Sequence, residues 1–171
     1  MSIVLNAARA WRNPATAPAR GTVHAMDIDD TPVPAMDKKD FFLWCDQREL
    51  RSNPEIAAAF RVSSQTIRNW QRKEEADQMP AWIPLACLAI ETVAAGEPVP
   101  VAETMTVARL SEWQGRHRFK TYEDTACVFQ IKRQAVHNWY KRQRFPKWLP
   151  LACLGYDVAK SRIAKDSARA A

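Results

Sequence analysis

Glycine and histidine are scarce in this chain, which contains only 4 glycines and 3 histidines among 171 residues. A loop that cradles phosphate needs several glycines within a short stretch, and no such stretch occurs. The histidines have no spacing typical of metal ligands, and neither an HExxH motif nor a nucleophile elbow is present. These absences predict a protein that is not an enzyme and that uses no metal or other cofactor.

Paired cysteines and long apolar runs are also missing. The 4 cysteines lie at least 26 positions apart, so a zinc ribbon or a thioredoxin-like motif has no support. Cys87 and Cys153 have apolar neighbours, which favours reduced thiols in a core and a reducing, cytoplasmic compartment. No run of 18 apolar residues occurs, which predicts no membrane span, and the N-terminal apolar stretch is too short for a secretory signal.

Residues 1–37 alternate Ala, Pro and Asp without helical or strand periodicity. This composition predicts a disordered N-terminal leader. The stretch contains arginines and has no acidic residue before Asp27, so it also resembles an organellar transit peptide. A further alternative is that translation starts at Met36, and the sequence leaves the choice between Met1 and Met36 open.

Positive charge is concentrated in one half of the chain. Residues 1–37 carry 3 basic and 4 acidic side chains, and residues 38–100 carry 8 and 9, a net charge of −1 in each case. Residues 101–171 carry 14 basic and 6 acidic side chains, a net charge of +8. A basic half beside a nearly neutral half indicates a polyanionic partner that is contacted mainly through the basic half.

One sequence pattern occurs twice. An offset of 69 positions aligns Trp44 with Trp113 and continues without a gap to an Asn-Trp pair in both copies. After three additional residues in the first copy, an offset of 66 aligns the pattern PxWxPLACL at Pro80 with the same pattern at Pro146. A small insertion in a polar stretch is what a surface loop tolerates. The chain therefore contains two copies of one unit.

The periodic segments of each copy have helical spacing, and none alternates as a strand would. The fold class that this predicts is all-α, with two tandem small helix-turn-helix domains. Gly96 is expected to end a helix, and Pro98 and Pro100 are expected to keep the joint extended. The predicted segments are the leader 1–37, the first domain 38–95, the linker 96–103, the second domain 104–160 and a tail 161–171 that is a fraying helix end.

Helix starts are marked by capping patterns. Asp37 can cap the first helix, and Ser52 with Glu55 forms an S-x-x-E capping box that the second copy keeps as Thr121 with Asp124. A short helix, a tight bend and a second helix follow, and the last helix of the copy is expected after Pro84. The residue pairs expected to face inward in both copies are Ile56/Thr125, Ala57/Ala126, Phe60/Phe129, Val62/Ile131, Ile67/Val136 and Trp70/Trp139.

The stretch IAAAFRVSSQTIRNWQR followed by PxWxP resembles the lambda-repressor/Cro-like helix-turn-helix transcriptional regulators, here in two tandem copies. The resemblance covers residues 38–95 and 104–160. The bend usually carries glycine in that family, whereas this chain has Arg61 and Gln130, which costs about 1 kcal/mol if φ is positive there. Tandem copies are a second departure, because the family mostly forms symmetric dimers from single copies.

The resemblance implies that the second helix of each pair, starting near Ser63 or Ser64 in the first copy, enters the major groove of DNA. Its outward Gln and Asn side chains could pair with adenine and its Arg and Lys side chains with guanine, or the cations and serines could hold phosphates. The candidate DNA-binding residues are Ser63, Ser64, Gln65, Arg68, Asn69, Arg72 and Lys73 in the first copy, and Lys132, Arg133, Gln134, His137, Asn138, Lys141 and Arg142 in the second.

Two further sets of residues have a structural interpretation. Asn69 and Asn138 could accept hydrogen bonds from the loop and so have no contact with DNA. Helical spacing favours core anchors over base stacking for Trp70, Trp82, Trp139 and Trp148.

The predicted function is that of a sequence-specific double-stranded DNA-binding transcriptional regulator, a repressor of phage or mobile-element type in the cytoplasm of a bacterial cell or phage-infected host. Its two recognition helices differ, so the half-sites should differ. The alternatives are a protein-interaction module, in which the first copy forms a homodimer or binds another regulatory protein, and a DNA-binding accessory factor for recombination or packaging. The operator, the sign of regulation and the oligomeric state remain open.

Overall fold

The computed structural model describes residues 35–72, 78–96 and 103–170, and these ranges contain helices and no strand beyond one isolated β-bridge. The all-α fold class is therefore confirmed. Most of the predicted leader, much of the linker and Lys73 lie outside the described residues. The helices are α1 Lys38–Gln47, α2 Asn53–Ala59, α3 Ser64–Arg72, α4 Trp82–Ala94, α5 Val107–Arg116, α6 Tyr122–Phe129, α7 Arg133–Arg142 and α8 Leu149–Ala170.

Both predicted capping boxes are confirmed. At the start of α2, the backbone N–H of Glu55 donates to Ser52 Oγ at 3.4 Å, and the Glu55 carboxylate accepts from the Ser52 N–H at 2.8 Å. The hydrogen bond from the Ser52 N–H to the carboxylate is the largest cause that lowers the pKa of Glu55. At the start of α6, Thr121 and Asp124 make the same two bonds at 3.2 and 2.7 Å. Asp37 caps α1 as expected.

The last helix of the first copy begins earlier than predicted, and the last helix of the second copy includes the tail that was predicted to be a helix end. In the first copy, α4 begins at Trp82 and not after Pro84, because proline in the first turn lacks only an N–H that has no intrahelical partner there. In the second copy, α8 continues to Ala170, so the tail extends as helix beyond residue 160. Gly96 follows α4 with φ of 77°, which agrees with its predicted role at a helix end.

The bends between α2 and α3 and between α6 and α7 share one backbone geometry. Arg61 has φ of 55° and Gln130 has φ of 49°, so both non-glycine residues occupy the left-handed region that glycine favours. The next residue of each bend, Val62 or Ile131, donates its N–H to a carbonyl in the preceding helix at 2.9 Å. This hydrogen bond is that of a Schellman motif, a helix ending that normally uses glycine.

Replacing Gln130 with glycine is expected to raise the free energy of unfolding by about 0.5–1 kcal/mol, because glycine adopts positive φ without steric cost. The Gln130 side chain is exposed, so its removal sacrifices little packing. Urea denaturation measures the change. Ala108→Gly, on the exposed side of α5, is the control and should lower the free energy of unfolding by about 1 kcal/mol. Equal destabilisation by both changes would contradict the left-handed bend.

The predicted inward-facing residues are confirmed. Eight of the twelve are buried, and the other four, Val62, Trp70, Ile131 and Trp139, are half-buried against the core. Of the predicted tryptophan anchors, Trp82 is buried in the core, and Trp70, Trp139 and Trp148 are half-buried against it. Trp70 contacts the buried Phe41 at 5.8 Å between ring centroids. The repeated apolar pattern thus forms the interior of each copy.

The two copies meet along α4 and α8. A Cβ atom on Gly155 would lie 1.8 Å from the carbonyl oxygen of Leu85, so the two helix backbones approach as closely as only glycine permits. Trp82 and Trp148, which are equivalent residues of the two copies, stack with ring centroids 4.5 Å apart and planes 9° apart. Equivalent residues of the two copies therefore meet at the contact between them. Residues of both copies form one hydrophobic core.

In each copy, an indole N–H that donates to a carboxylate joins the first helix to the last helix. In the first copy, Trp44 Nε1 donates to Glu91 at 2.7 Å, and Arg48 forms a salt bridge with the same carboxylate at 3.2 Å. In the second copy, Trp113 Nε1 donates to Asp157 at 2.9 Å, and His117 Nε2 lies 2.6 Å from it. The repeat therefore extends to polar contacts between distant helices.

Replacing Asp157 with alanine is expected to lower the free energy of unfolding by about 2 kcal/mol, because the Trp113 N–H would lose its acceptor in a part-buried position. Thermal and urea denaturation measure the change. Asp166→Ala, on the exposed end of α8, removes the same charge and should change stability by less than about 0.5 kcal/mol. Similar effects of the two changes would show that Asp157 acts only as a surface charge.

All 4 cysteines are free thiols, and Cys45, Cys87 and Cys153 are buried. Burial raises the pKa of Cys45 to about 12 and the pKa of Cys87 and Cys153 well above the usual value for a thiol. The prediction of core thiols at Cys87 and Cys153 is confirmed. In the described part of the chain, no helix is long and apolar enough to cross a membrane.

Candidate nucleic-acid interface

The outer face of α3 carries the described candidates of the first copy. Ile67, which is fully buried, anchors the inner face. Ser64 is half-buried, and the remaining described candidates are exposed, namely Ser63, Gln65, Arg68, Asn69 and Arg72. The sequence pattern therefore sorted the two sides of α3 correctly.

Ser63 stands directly before α3 and stabilises its start. The Ser63 hydroxyl accepts from the Thr66 backbone N–H at 3.1 Å and pairs with the Thr66 hydroxyl at 2.8 Å. A serine before a helix commonly satisfies one of the first amides in this way. Ser63 thus combines an exposed position with a capping role.

A glutamine and an asparagine one turn apart are linked on the outer face of both helices. Gln65 Nε2 donates to Asn69 Oδ1 at 2.9 Å in α3, and Gln134 Nε2 donates to Asn138 Oδ1 at 3.1 Å in α7. The asparagine oxygens thus have a partner within their own helix. Gln65 Oε1 also accepts from Arg68 Nε at 3.2 Å. These bonds hold the amide groups in one orientation on the outer face of each helix.

The outer face of α7 is more basic than that of α3. Val136 is fully buried on the inner face, Asn138 is half-buried, and the exposed candidates are Lys132, Arg133, Gln134, His137, Lys141 and Arg142. No side chain caps the start of α7, so its first amides add partial positive charge beside Lys132 and Arg133.

The cations of this region have no acidic counterpart. Residues 125–156 contain six basic and no acidic side chains. Four of these cations lie at the two ends of α7, and the other two are Arg144 and Lys147. Within the described residues, none of these six forms a salt bridge. Arg144 and Lys147 were not among the candidates predicted from the sequence. Both side chains are exposed in the segment between α7 and α8. The absence of acidic residues from this stretch of the sequence was a signal that could have identified them as candidates.

Two tyrosines pack against or lie on α7, and neither was among the residues predicted from the sequence. Tyr122 stacks on Tyr140 with centroids 5.1 Å apart and meets the His137 ring at 5.9 Å. The Tyr140 hydroxyl donates to Gln114 of α5 at 2.6 Å, and burial raises the Tyr140 pKa. The first copy has an amide pair at the equivalent positions, so a comparison of the copies over their whole length would have shown this difference.

The first-copy counterpart of the tyrosine stack consists of Asn53 and Gln71. Each amide donates to the other, at 3.1 and 2.9 Å. Both arrangements join the start of the first helix of the pair to the second helix, and the tyrosine version adds two aromatic rings beside the basic face of α7.

Comparisons with protein-family models, with curated proteins and with solved structures gave no match. Among the described residues, no group of three or more His, Cys, Asp or Glu side chains could hold a metal ion. The interpretation of the site therefore depends on the geometry and charge of the chain itself.

Proposed function

We propose that this protein is a sequence-specific double-stranded DNA-binding transcriptional regulator, a repressor of phage or mobile-element type. In this proposal α2–α3 and α6–α7 are helix-turn-helix units like those of lambda-repressor/Cro-like proteins. The observation that supports it most strongly is the outer face of α7. Its exposed cations form no salt bridge with any described residue, and they flank an oriented glutamine–asparagine pair.

The exposed groups of α7 suit a duplex in chemical terms. Lys132, Lys141 and Arg142 lie at the two ends of the helix, where phosphates of the two strands would flank a major groove. Gln134 and Asn138 lie between them and offer the amides that pair with adenine. Arg133, at the first turn, would reach a guanine edge or a phosphate. The proposal contains no catalytic step and no cofactor.

The seam between α4 and α8 suggests how one chain would bind two half-sites. Close contact between these helices fixes α3 and α7 relative to each other, as a dimer interface does in proteins with single copies. The centres of the half-sites would lie about 34 Å apart, one helical turn of DNA. Because the outer residues of α3 and α7 differ, the two half-sites would differ in sequence.

Selection of bound duplexes from a random pool by the intact chain tests this function. The intact chain is required because the two copies share one core. We expect enriched sites with two unlike half-sites about one turn apart. Arg133→Ala should change base preference at one position, whereas Lys141→Ala should weaken all duplexes alike. Failure of the intact chain to retard any duplex at low salt would contradict the function.

A protein-interaction role for the first copy is a second candidate, and the charge of α3 favours it. The described part of α3 carries only Arg68 and Arg72 as cations, and Arg68 already bonds to Gln65. Substituting Gln65 and Arg68 with alanine separates the two roles. A DNA-reading α3 predicts a loss of preference at one half-site, while a protein-binding α3 predicts unchanged selection of duplexes.

A further inference from the structure

An open groove of about 860 Å³ lies where the α2–α3 bend of the first copy meets the PxW segments of both copies. Its apolar lining includes three tryptophans. Trp82 lies between the other two, stacked on Trp148 at 4.5 Å and tilted against Trp70 at 6.0 Å between ring centroids. Trp82 is buried, whereas Trp70 and Trp148 are half-buried and expose indole surface that favours contact with a flat aromatic ring.

The charged side chains that line the groove are both cationic. Arg61 and Lys147 come from different copies, and among the described residues no carboxylate lines the groove. Arg61 Nη1 donates to the Glu103 carbonyl at 3.1 Å, which holds the guanidinium beside the groove. The Ser63 and Thr66 hydroxyls hydrogen-bond to each other at 2.8 Å, and one of them keeps a hydrogen that can be donated to an anion. The groove thus combines an aromatic surface with positive charge.

The pair of cations, Arg61 and Lys147, is not repeated at the equivalent positions of the two copies. The residue equivalent to Arg61 in the second copy is Gln130, and the residue equivalent to Lys147 in the first copy is Ala81. The equivalent positions therefore do not hold a second cationic pair. These equivalents also provide natural replacements for a test.

We propose that this groove binds a small aromatic carboxylate, with the ring against the tryptophans and the carboxylate paired with Arg61 and Lys147. The volume lies within the range of about 300–1,000 Å³ that sites for single small molecules occupy. The ring supplies apolar contact with the floor, and the carboxylate supplies a charge opposite to those of Arg61 and Lys147.

The ligand would also affect DNA binding, an extension that rests on the proposed function. Ser63 lines the groove and is a candidate DNA contact next to the α2–α3 bend. A ligand against the bend would change the affinity of α3 for a duplex, and the duplex would change the affinity for the ligand by the same factor.

Calorimetric titration of the intact chain with 1-naphthoate, in the absence of DNA, tests the site. We expect saturable binding that is at least about tenfold tighter than binding of the neutral 1-naphthamide. NMR should show shifts in the indole signals of Trp70, Trp82 and Trp148 but not of Trp113. The Arg61→Gln, Lys147→Ala double variant should bind naphthoate at least about tenfold more weakly while its circular dichroism stays unchanged.

Three results would overturn the site: no saturation at millimolar naphthoate, equal affinity for the amide, or full binding by a folded double variant. Coupling to DNA is measured separately, as duplex affinity with and without naphthoate. A chain that binds naphthoate and no duplex would refute the proposed function and leave the groove site standing, so the two failures are distinguishable.

Discussion

Replacing Gly155 with alanine is expected to lower the free energy of unfolding by about 3 kcal/mol, at the upper end of the usual cost of overpacking. The added methyl group would lie 1.8 Å from the Leu85 carbonyl oxygen and 2.5 Å from its carbon. Both atoms belong to the backbone of α4, so α4 and α8 must move apart and the core shared by the two copies must loosen. Urea denaturation followed by tryptophan fluorescence measures the change.

Gly115→Ala is the matched control for this prediction. Gly115 lies in α5, and a Cβ atom there would meet nothing within 4 Å. Alanine is the better helix former, so this variant should be more stable by about 0.5–1 kcal/mol. If Gly155→Ala were as stable as the original chain, the close approach of α4 and α8 would be refuted.

Removing three cations of α7 is expected to weaken duplex binding strongly. In the Lys132→Ala, Lys141→Ala, Arg142→Ala variant, the slope of log affinity against log salt should become less steep by about 2.7, or 0.9 for each phosphate that no longer has a cation beside it. Affinity near physiological salt should fall at least about 100-fold, because counterion release supplies much of the binding free energy. Fluorescence anisotropy with a labelled duplex at several salt concentrations measures both quantities.

The control removes the same charge from a different place. Arg162, Lys165 and Arg169 lie on the exposed end of α8, and their replacement with alanine changes the net charge equally. This second variant should keep most of the salt dependence. Equal weakening in the two variants would mean that duplex binding depends on net charge alone and would contradict a docking role for α7.

Local sequence signals predicted most of the helical framework. The capping boxes at Ser52 and Thr121 are decided by residues three apart, and the inward pairs follow from helical periodicity, so no long-range information is needed for either. The start of α4 was placed too late because proline can stand inside a first turn as well as before a helix. The sequence itself gave no signal for the left-handed conformation of Arg61 and Gln130. It could be expected only because lambda-repressor/Cro-like proteins usually carry glycine at this position of the bend.

Contacts between distant helices lay beyond prediction from the sequence. Gly155 stands in an apolar helix without any signal that Leu85 approaches its backbone. The bonds from the two indoles to Glu91 and Asp157 join residues more than 40 positions apart. In the sequence, only the repeat offset indicates that Glu91 and Asp157 are equivalent residues. For the candidate interface, the polar faces of α3 and α7 were predictable, whereas the support that Tyr122 gives to α7 depends on packing.

The most direct test of the central proposal is NMR mapping of the intact chain, which has a mass of 19.5 kDa, during addition of a duplex at low salt. The proposed function predicts that backbone amide signals of α7, from Arg133 to Arg142, and those at the start of α3 shift most, while those in α4 and on the outer surface of α1 change little. Signals that stay unchanged throughout the titration, or shifts confined to helices other than α3 and α7, would contradict the proposal that these two helices bind DNA.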